Sequence, residues 1–253
     1  MTYRDENPPS FLAIGVLSCV LFGGLGAMMS FSAYGDAIGK NNPTWILGIG
    51  IAVFGMLGLP VIYWINRSGR SVYRTGINGV AGSIAISYCI TNSAISPFLV
   101  MPMNDWVRII GFLFCAIGNI WWCISFARIY KKIYVDRVLF QSLYIDAGDF
   151  YVMTPARDSR LIERRLKFNQ MRPAYLLIPI MPLVSLSFVL ERILEPVIGF
   201  GGFWTFAAFI AIPLSMIFNG LLVKGGLMYF YYPAKLTRST GKPVYFARYW
   251  DAK

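Results

Sequence analysis

The sequence predicts an all-α polytopic membrane protein, with about six transmembrane helices and a small cytoplasmic α+β segment. Its 253 residues are 57% hydrophobic and only 14% charged, whereas soluble domains contain roughly 25% charged residues. Six long stretches between residues 7 and 230 carry no charge, and the basic residues cluster in alternate connections. So much apolar surface is stable only where lipid replaces water as the solvent.

Each uncharged stretch is long enough to hold the roughly 20 apolar residues that a helix needs to cross a bilayer. The predicted spans are residues 11–33, 45–65, part of 75–104, 109–127, 173–190 and part of 196–223. The third is the most polar, because serine, threonine and asparagine recur along it. Pro97 and Pro102 are expected to bend its outer end.

The distribution of positive charge predicts how the spans are oriented. With six spans, the second connection, the fourth connection and the C-terminal tail lie on one side, and these segments contain most of the lysines and arginines. Positive charge collects on the cytoplasmic side of membrane proteins, so both termini are expected there. Without the third span, the second and fourth connections, which are both basic, would lie on opposite sides of the membrane. The charge distribution therefore favours a third crossing, which hydropathy alone does not decide.

We expect four regions along the chain: residues 1–128 with helices one to four, 129–172 as a cytoplasmic hairpin and basic amphipathic helix, 173–232 with helices five and six, and 233–253 as a cytoplasmic tail. No cleavable signal peptide is expected, since the first apolar stretch is too long and lacks a basic leader. Gly23 with Ala27, and Gly48 with Ala52, are spaced to let helices pack closely, within the monomer or in a dimer.

The cytoplasmic segment combines strand and helix patterns. Residues 138–145 and 150–153 flank Asp146-Ala-Gly-Asp149, which predicts a β-hairpin. A strand within residues 244–250 is expected to pair with it. From Thr154 to about Gln170 the pattern is that of a basic amphipathic helix lying on anionic headgroups or on a partner. Its basic residues are Arg157, Arg160, Arg164, Arg165 and Lys167.

Catalytic chemistry has little support in this composition. The chain contains no histidine, the residue most often used as a general base or metal ligand. Its four cysteines lie in apolar stretches, and none forms a CxxC pair, so we interpret them as core residues. Asp146 and Asp149 fit a hairpin turn better than an acid–base pair. No catalytic, cofactor-binding or metal-binding residue is therefore expected, and no cofactor.

A few polar groups near the spans offer alternatives. Glu191, Arg192 and Glu195 precede the sixth span, and the two carboxylates share a face if the helix continues. They form either an ion or partner site or an outer loop of solvated charges. Asn92 and Asn119 lie inside the third and fourth spans, where they are expected to hydrogen-bond across helices.

Three classes of function remain for such a chain. A non-catalytic binding protein needs only packed spans and a docking surface, and the chain offers both. A secondary transporter or channel-like protein would carry ionisable or broken-helix sites near the midplane, which are not evident. A membrane enzyme would need converging acid–base groups. Expected partners are the anionic lipid bilayer and a protein, with no nucleic acid and with homo-oligomerisation left open.

The C-terminal stretch sharpens the first class. Pro233-Ala-Lys-Leu-Thr-Arg238, followed by Pro243-Val-Tyr-Phe, comes directly after a span. It resembles the short arginine-containing strand motif of an uncharacterised family of bacterial membrane proteins encoded near type VI secretion effectors. The resemblance covers about a dozen residues. It implies a protein of the bacterial inner membrane that confers immunity by binding a membrane-acting secreted toxin, or one that binds a membrane-complex protein.

Overall fold

The computed structural model describes residues 9–32, 44–65, 71–100, 104–153, 165–179 and 202–246. This part of the chain is mostly helical, with one small three-stranded sheet. The helices are α1 (Pro9–Ser32), α2 (Thr44–Val53, a π-helical turn at Phe54–Gly58, and Leu59–Ile65), α3 (Ser71–Val100), α4 (Asp105–Val135), α5 (Arg137–Leu143), α6 (Gly202–Gly226) and α7 (Tyr232–Thr240). The strands are β1 (Tyr144–Asp146), β2 (Tyr151–Met153) and β3 (Val244–Phe246).

Within the described residues, four helices are long and apolar enough to cross a membrane. They are Leu12–Phe31, Thr44–Ile65, Asp105–Val135 and Ala207–Thr240, which correspond to the first, second, fourth and sixth predicted spans. The third predicted span forms α3, a 30-residue helix outside this apolar set. Only the start of the fifth is described, as a 3₁₀ turn at Arg172–Leu176 and one further helical turn. Six spans are therefore not confirmed.

Helix α3 lies at the centre of the bundle, packed mainly against α1 and α6. Five of its polar side chains are buried inside the bundle, whereas Ser83 and Ser93 are half-buried. The buried ones are Thr75, Asn78, Ser87, Asn92 and Ser96. A helix enclosed by other helices meets little lipid, so its low apolar content does not expose polar groups to hydrocarbon. At about 1.5 Å per residue, its length of roughly 45 Å exceeds the thickness of a bilayer core.

The exposed apolar surface lies on the outer helices. Among the described residues, large hydrophobic side chains are exposed mainly on α1, α2 and α4. Soluble monomers rarely expose contiguous apolar patches of more than a few hundred Å². On α2, for example, Leu47, Leu57 and Trp64 are all more than half exposed. Such faces suit contact with lipid, which is the environment that the composition predicts.

Small residues let α1 and α2 approach closely. A Cβ atom placed on Gly48 would lie 2.7 Å from the carbonyl oxygen of Gly23 and 2.9 Å from the Cβ of Ala27. One placed on Gly23 would lie 3.0 Å from the backbone nitrogen of Ala52. The prediction that these four residues form packing faces is confirmed, and the two faces meet within one chain.

Two π-helical turns carry helices across prolines. The turn at Phe54–Gly58 precedes Pro60, and the turn at Leu227–Tyr231 precedes Pro233. Proline cannot donate the usual hydrogen bond to the carbonyl four residues earlier, and a locally wider turn accommodates its ring. As a result α7 continues beyond Pro233 to Thr240, where the tail and its strand motif were expected. Residues 235–238 of that motif are therefore helical.

The predicted hairpin is present but shorter than expected. Strands β1 and β2 pair antiparallel around the turn that follows Asp146, whereas the expected strand residues 138–143 form α5. The Asp136 carboxylate caps this helix by accepting hydrogen bonds from the backbone nitrogens of Val138 (2.9 Å) and Leu139 (3.3 Å). Leu139 and Leu143, four residues apart, are both buried. The cap and this helical spacing outweigh the β-propensity of the segment.

The tail completes the sheet, as predicted. Strand β3 pairs parallel with β2, with Val152 opposite Tyr245. Lys242 donates to both carboxylate oxygens of Asp146, at 3.0 and 3.1 Å. A hydrogen bond from the Gly148 backbone and this ammonium group lower the pKa of Asp146. Asp146 thus ends β1, accepts a hydrogen bond from the turn and pairs with the tail, which agrees with the turn interpretation of this acidic segment.

Candidate functional site

The C-terminal end of α4 presents a basic face. Arg128, Lys131, Lys132 and Val135 follow the spacing i, i+3, i+4 and i+7, so they lie on one side of the helix. All four are exposed, and Val135 exposes 74% of its surface. Cations near a helix C-terminus are favoured by the helix dipole. The same residues come at the end of an apolar helix, where basic side chains meet lipid headgroups in membrane proteins.

An open groove follows this basic face. Its volume is about 640 Å³. The described residues that line it, here called the basic groove, are Arg128, Lys131, Lys132, Val135, Asp136, Leu139 and Leu166. One wall is therefore cationic, and the rest is largely aliphatic. A groove of this composition suits a ligand that joins negative charge to an apolar chain.

Among the described residues, the only carboxylate that lines the groove already accepts hydrogen bonds from the protein backbone. The Oδ1 atom of Asp136 accepts the two backbone hydrogen bonds that begin α5. No ion pair joins Arg128, Lys131 or Lys132 to any described acidic side chain. Like charges three or four residues apart on a helix repel one another. The basic groove therefore attracts anions, with a net excess of positive charge.

Aromatic stacking brings the last residues of the segment predicted as a basic helix to this groove. Phe168 stacks on Trp122 at 5.5 Å between ring centroids and meets Phe126 edge-on at 5.1 Å. These contacts hold residues 165–170 against α4, with Leu166 in the groove wall and Gln170 buried.

Two of the five predicted basic residues can be placed. Arg165 and Lys167 are exposed on either side of Leu166 in the chain. Lys167 adopts a left-handed backbone conformation (φ 51°), which ends the short helical turn there. Arg157, Arg160 and Arg164 lie outside the described residues, as do Glu191, Arg192 and Glu195.

A buried polar cluster joins α1, α2 and α3. Asn92 donates to the hydroxyl of Ser30 at 2.5 Å and accepts a hydrogen bond from Ser96 at 2.6 Å. Thr44 donates to Ser30 at 3.1 Å. The hydroxyl of Tyr88 donates to the carbonyl of Thr44 at 2.6 Å. Asn92, Thr44 and Tyr88 bond across helices, whereas Ser96 bonds to Asn92 within α3 and Ser30 donates to the Gly26 carbonyl within α1. The polar groups of the cluster thus satisfy one another.

A second cluster joins α3, α4 and α6. Asn119 donates to Ser215 at 2.9 Å and to the Cys115 carbonyl at 2.9 Å. Its Oδ1 atom accepts from Asn219 at 2.7 Å. Asn219 also donates to Thr91 at 3.1 Å. Because Thr91 and Asn92 are adjacent on α3, the two clusters meet at this helix. The predicted cross-helix hydrogen bonds of Asn92 and Asn119 are confirmed.

Other sequence-based interpretations concern the cysteines and metals. Cys19, Cys89 and Cys115 are buried, Cys123 is half-buried, and all four are free thiols, as expected for core residues. Within the described segments, no three histidine, cysteine, aspartate or glutamate side chains gather as a metal site would require. The hydrogen bonds of Ser215 and Asn219 to Asn119 were not predicted. Their spacing of four on an apolar helix puts both polar groups on one face and could have indicated a cross-helix contact.

Lys131 and Lys132 were not predicted as site residues. Their spacing from Arg128 at the end of an apolar span could have indicated a basic face. The groove itself could not be predicted, because its aliphatic walls come from elements distant in sequence.

Comparison with protein-family models, curated proteins and solved structures gives no match for this chain. The resemblance of the C-terminal stretch therefore stays a prediction.

Proposed function

We propose that this chain is an integral membrane protein with six spans and both termini in the cytoplasm, and that it acts by binding a partner rather than by catalysis. Four apolar helices and the outward apolar faces of α1, α2 and α4 support membrane insertion. The length of α3 and the enclosure of its polar side chains support the third crossing. The one-sided basic charge supports the orientation.

The two polar clusters are the observation that favours binding over transport. A transporter or channel directs polar groups toward a pathway that its substrate or ion can enter. Here Asn92, Asn119 and Asn219 donate to side chains on neighbouring helices. These bonds use the polar groups for helix packing, as interhelical hydrogen bonds commonly do in membranes.

The sharpest form of this proposal follows from the C-terminal resemblance. A bacterial inner-membrane protein of this kind would protect its own cell by binding a secreted toxin that acts in or across the membrane. Such a protein needs a docking surface and no reactive group, which agrees with the histidine-free composition. A membrane-complex protein is the other partner class that the proposal admits, and a secondary transporter or channel-like protein is the alternative function.

The proposed topology predicts opposite labelling of two exposed positions. Asp149 lies at the hairpin tip, and Asp105 lies at the start of α4. In intact cells, a membrane-impermeant maleimide should label Asp105→Cys at once, and Asp149→Cys only after the inner membrane is permeabilised. The native thiols are buried or half-buried, and the unsubstituted chain is the control. Equal labelling of both positions in intact cells would contradict the six-span orientation.

The binding function predicts a stoichiometric partner. The intact protein, purified from its native host in mild detergent, should carry one secreted or membrane-inserting protein identifiable by mass spectrometry. An equally tagged, unrelated membrane protein is the control for carry-over. Recovery of the chain alone or as a homo-oligomer would contradict the stable-partner proposal. Transport assays in proteoliposomes, with Glu191 and Glu195 neutralised first, would then test the alternative.

A further inference from the structure

We propose that the basic groove is a binding site for a phospholipid whose headgroup carries two phosphates. The inference goes beyond the proposed function, because it assigns a lipid ligand to residues that the protein-partner proposal does not use. It rests on membrane insertion alone, so failure to find a protein partner leaves it unaffected.

The charge of the groove specifies the headgroup. Three cations project from one face of α4, and the one described carboxylate in the lining is Asp136, so the described lining residues carry two net positive charges. Two phosphodiesters, each with about one negative charge, would match that excess. Arg128 can bind one phosphate with two parallel hydrogen bonds, and the two lysines can act as point charges on the other.

The aliphatic walls specify that the ligand is a lipid rather than a soluble phosphate. Val135, Leu139 and Leu166 complete the lining, and a free inorganic anion would gain nothing from them. Leu139 is 3% exposed at the base, whereas Val135 is 74% exposed at the rim. The uncharged glycerol carbons of a phospholipid headgroup, lying along this wall, would cover the exposed part of Val135 and remove its apolar surface from water.

The position of the groove on α4 suits both the acyl chains and the headgroup of such a lipid. Helix α4 exposes apolar side chains such as Ile117, Ile120 and Ile124 along its outer face before the basic residues begin. A lipid beside α4 would have its acyl chains level with those residues and its headgroup level with the cations. Basic pockets at the ends of membrane helices bind headgroups with several phosphates in this arrangement.

The test compares lipids of different headgroup charge on the purified full-length protein. Native mass spectrometry in detergent would measure binding of cardiolipin, with two phosphates, phosphatidylglycerol, with one, and zwitterionic phosphatidylcholine. We expect one cardiolipin per chain, weaker phosphatidylglycerol binding and no specific phosphatidylcholine binding. The Lys131→Gln/Lys132→Gln variant should bind cardiolipin about 30-fold more weakly, since each lysine near anionic lipid contributes roughly a fivefold factor.

A matched double variant separates the groove from general surface charge. Arg172→Gln/Arg238→Gln also removes two exposed cations and leaves the groove lining unchanged, so it should retain cardiolipin binding. Equal losses in both double variants, or unchanged binding in the lysine variant, would overturn the proposal. Equal binding of phosphatidylcholine would also overturn it. Displacement of cardiolipin by millimolar glycerol phosphate would show that the acyl chains contribute nothing to binding, and would overturn the lipid assignment.

Discussion

Gly48→Leu is expected to lower the stability of the folded protein by about 3 kcal/mol, the upper part of the usual range for overpacked sites. For a chain of this size, such a loss corresponds to about 10 °C in melting temperature. The measurement is thermal unfolding of the purified protein in detergent, followed by circular dichroism or by aggregation of a fluorescent fusion. The expected loss reflects a helix contact that leaves no room for a side chain.

The reason lies in the contact of three helices at Gly48. A Cβ atom there would lie 2.7 Å from the Gly23 carbonyl oxygen on α1 and 2.8 Å from the Tyr88 hydroxyl on α3. The first neighbour is backbone and cannot rotate away, so α1 and α2 would have to separate. The Tyr88 hydroxyl would also have to move, which would break its hydrogen bond to the carbonyl of Thr44.

Gly50→Leu is the matched control for this substitution. Gly50 lies two residues further along α2, is exposed, and has no atom within 4 Å of an added Cβ. The control should be neutral or slightly stabilising, because glycine is a poor helix former. If Gly50→Leu destabilised as much as Gly48→Leu, helix crowding between α1 and α2 would not be the cause.

The glycine contact illustrates what the sequence could predict. Small residues four apart on an apolar helix have one common use, so Gly23 with Ala27 and Gly48 with Ala52 identified a real interface. The same reasoning predicted the cross-helix bonds of Asn92 and Asn119, because an amide inside a membrane helix needs a partner. In each case the prediction needs only a few residues of one helix. It also uses the rule that polar groups inside a bilayer must find partners within the protein.

Features that depend on several distant segments were not predictable in the same way. Residues 138–143 look strand-forming, and they become helical because Leu139 and Leu143 are buried in a core built from several segments, in addition to the local Asp136 cap. The basic groove combines α4, α5 and residue Leu166, so no local pattern reveals it. The polar content of α3 obscured its central position, because a hydropathy scale measures contact with lipid and not contact with other helices.

Phe126→Ala is the second substitution with a large expected effect, a loss of about 3 kcal/mol, near the lower end for truncating a buried aromatic residue. Phe126 is fully buried. Its ring meets Trp122 at 5.6 Å, Tyr130 at 6.2 Å and Phe168 at 5.1 Å between centroids. A Cβ on Gly220 of α6 would lie 2.5 Å from this ring, so truncation would leave a cavity between α4 and α6.

Phe114→Ala on the same helix is the control, because its ring is 54% exposed on the apolar outer face. It removes the same atoms but creates no internal cavity, so its melting temperature should fall by only a small part of the Phe126→Ala shift. Equal shifts would assign the loss to contact with detergent or lipid rather than to the aromatic cluster. Thermal unfolding in detergent measures both variants under the same conditions.

The Phe126→Ala variant also tests how the basic groove is built. Phe168 holds residues 165–170 against α4 through Phe126 and Trp122, and Leu166 in that segment forms part of the groove wall. Loss of the Phe126 ring should therefore increase hydrogen exchange across residues 165–170 and weaken cardiolipin binding, although every cation of the groove is retained. Faster exchange with unchanged lipid binding would show that the headgroup cations act without the aliphatic wall.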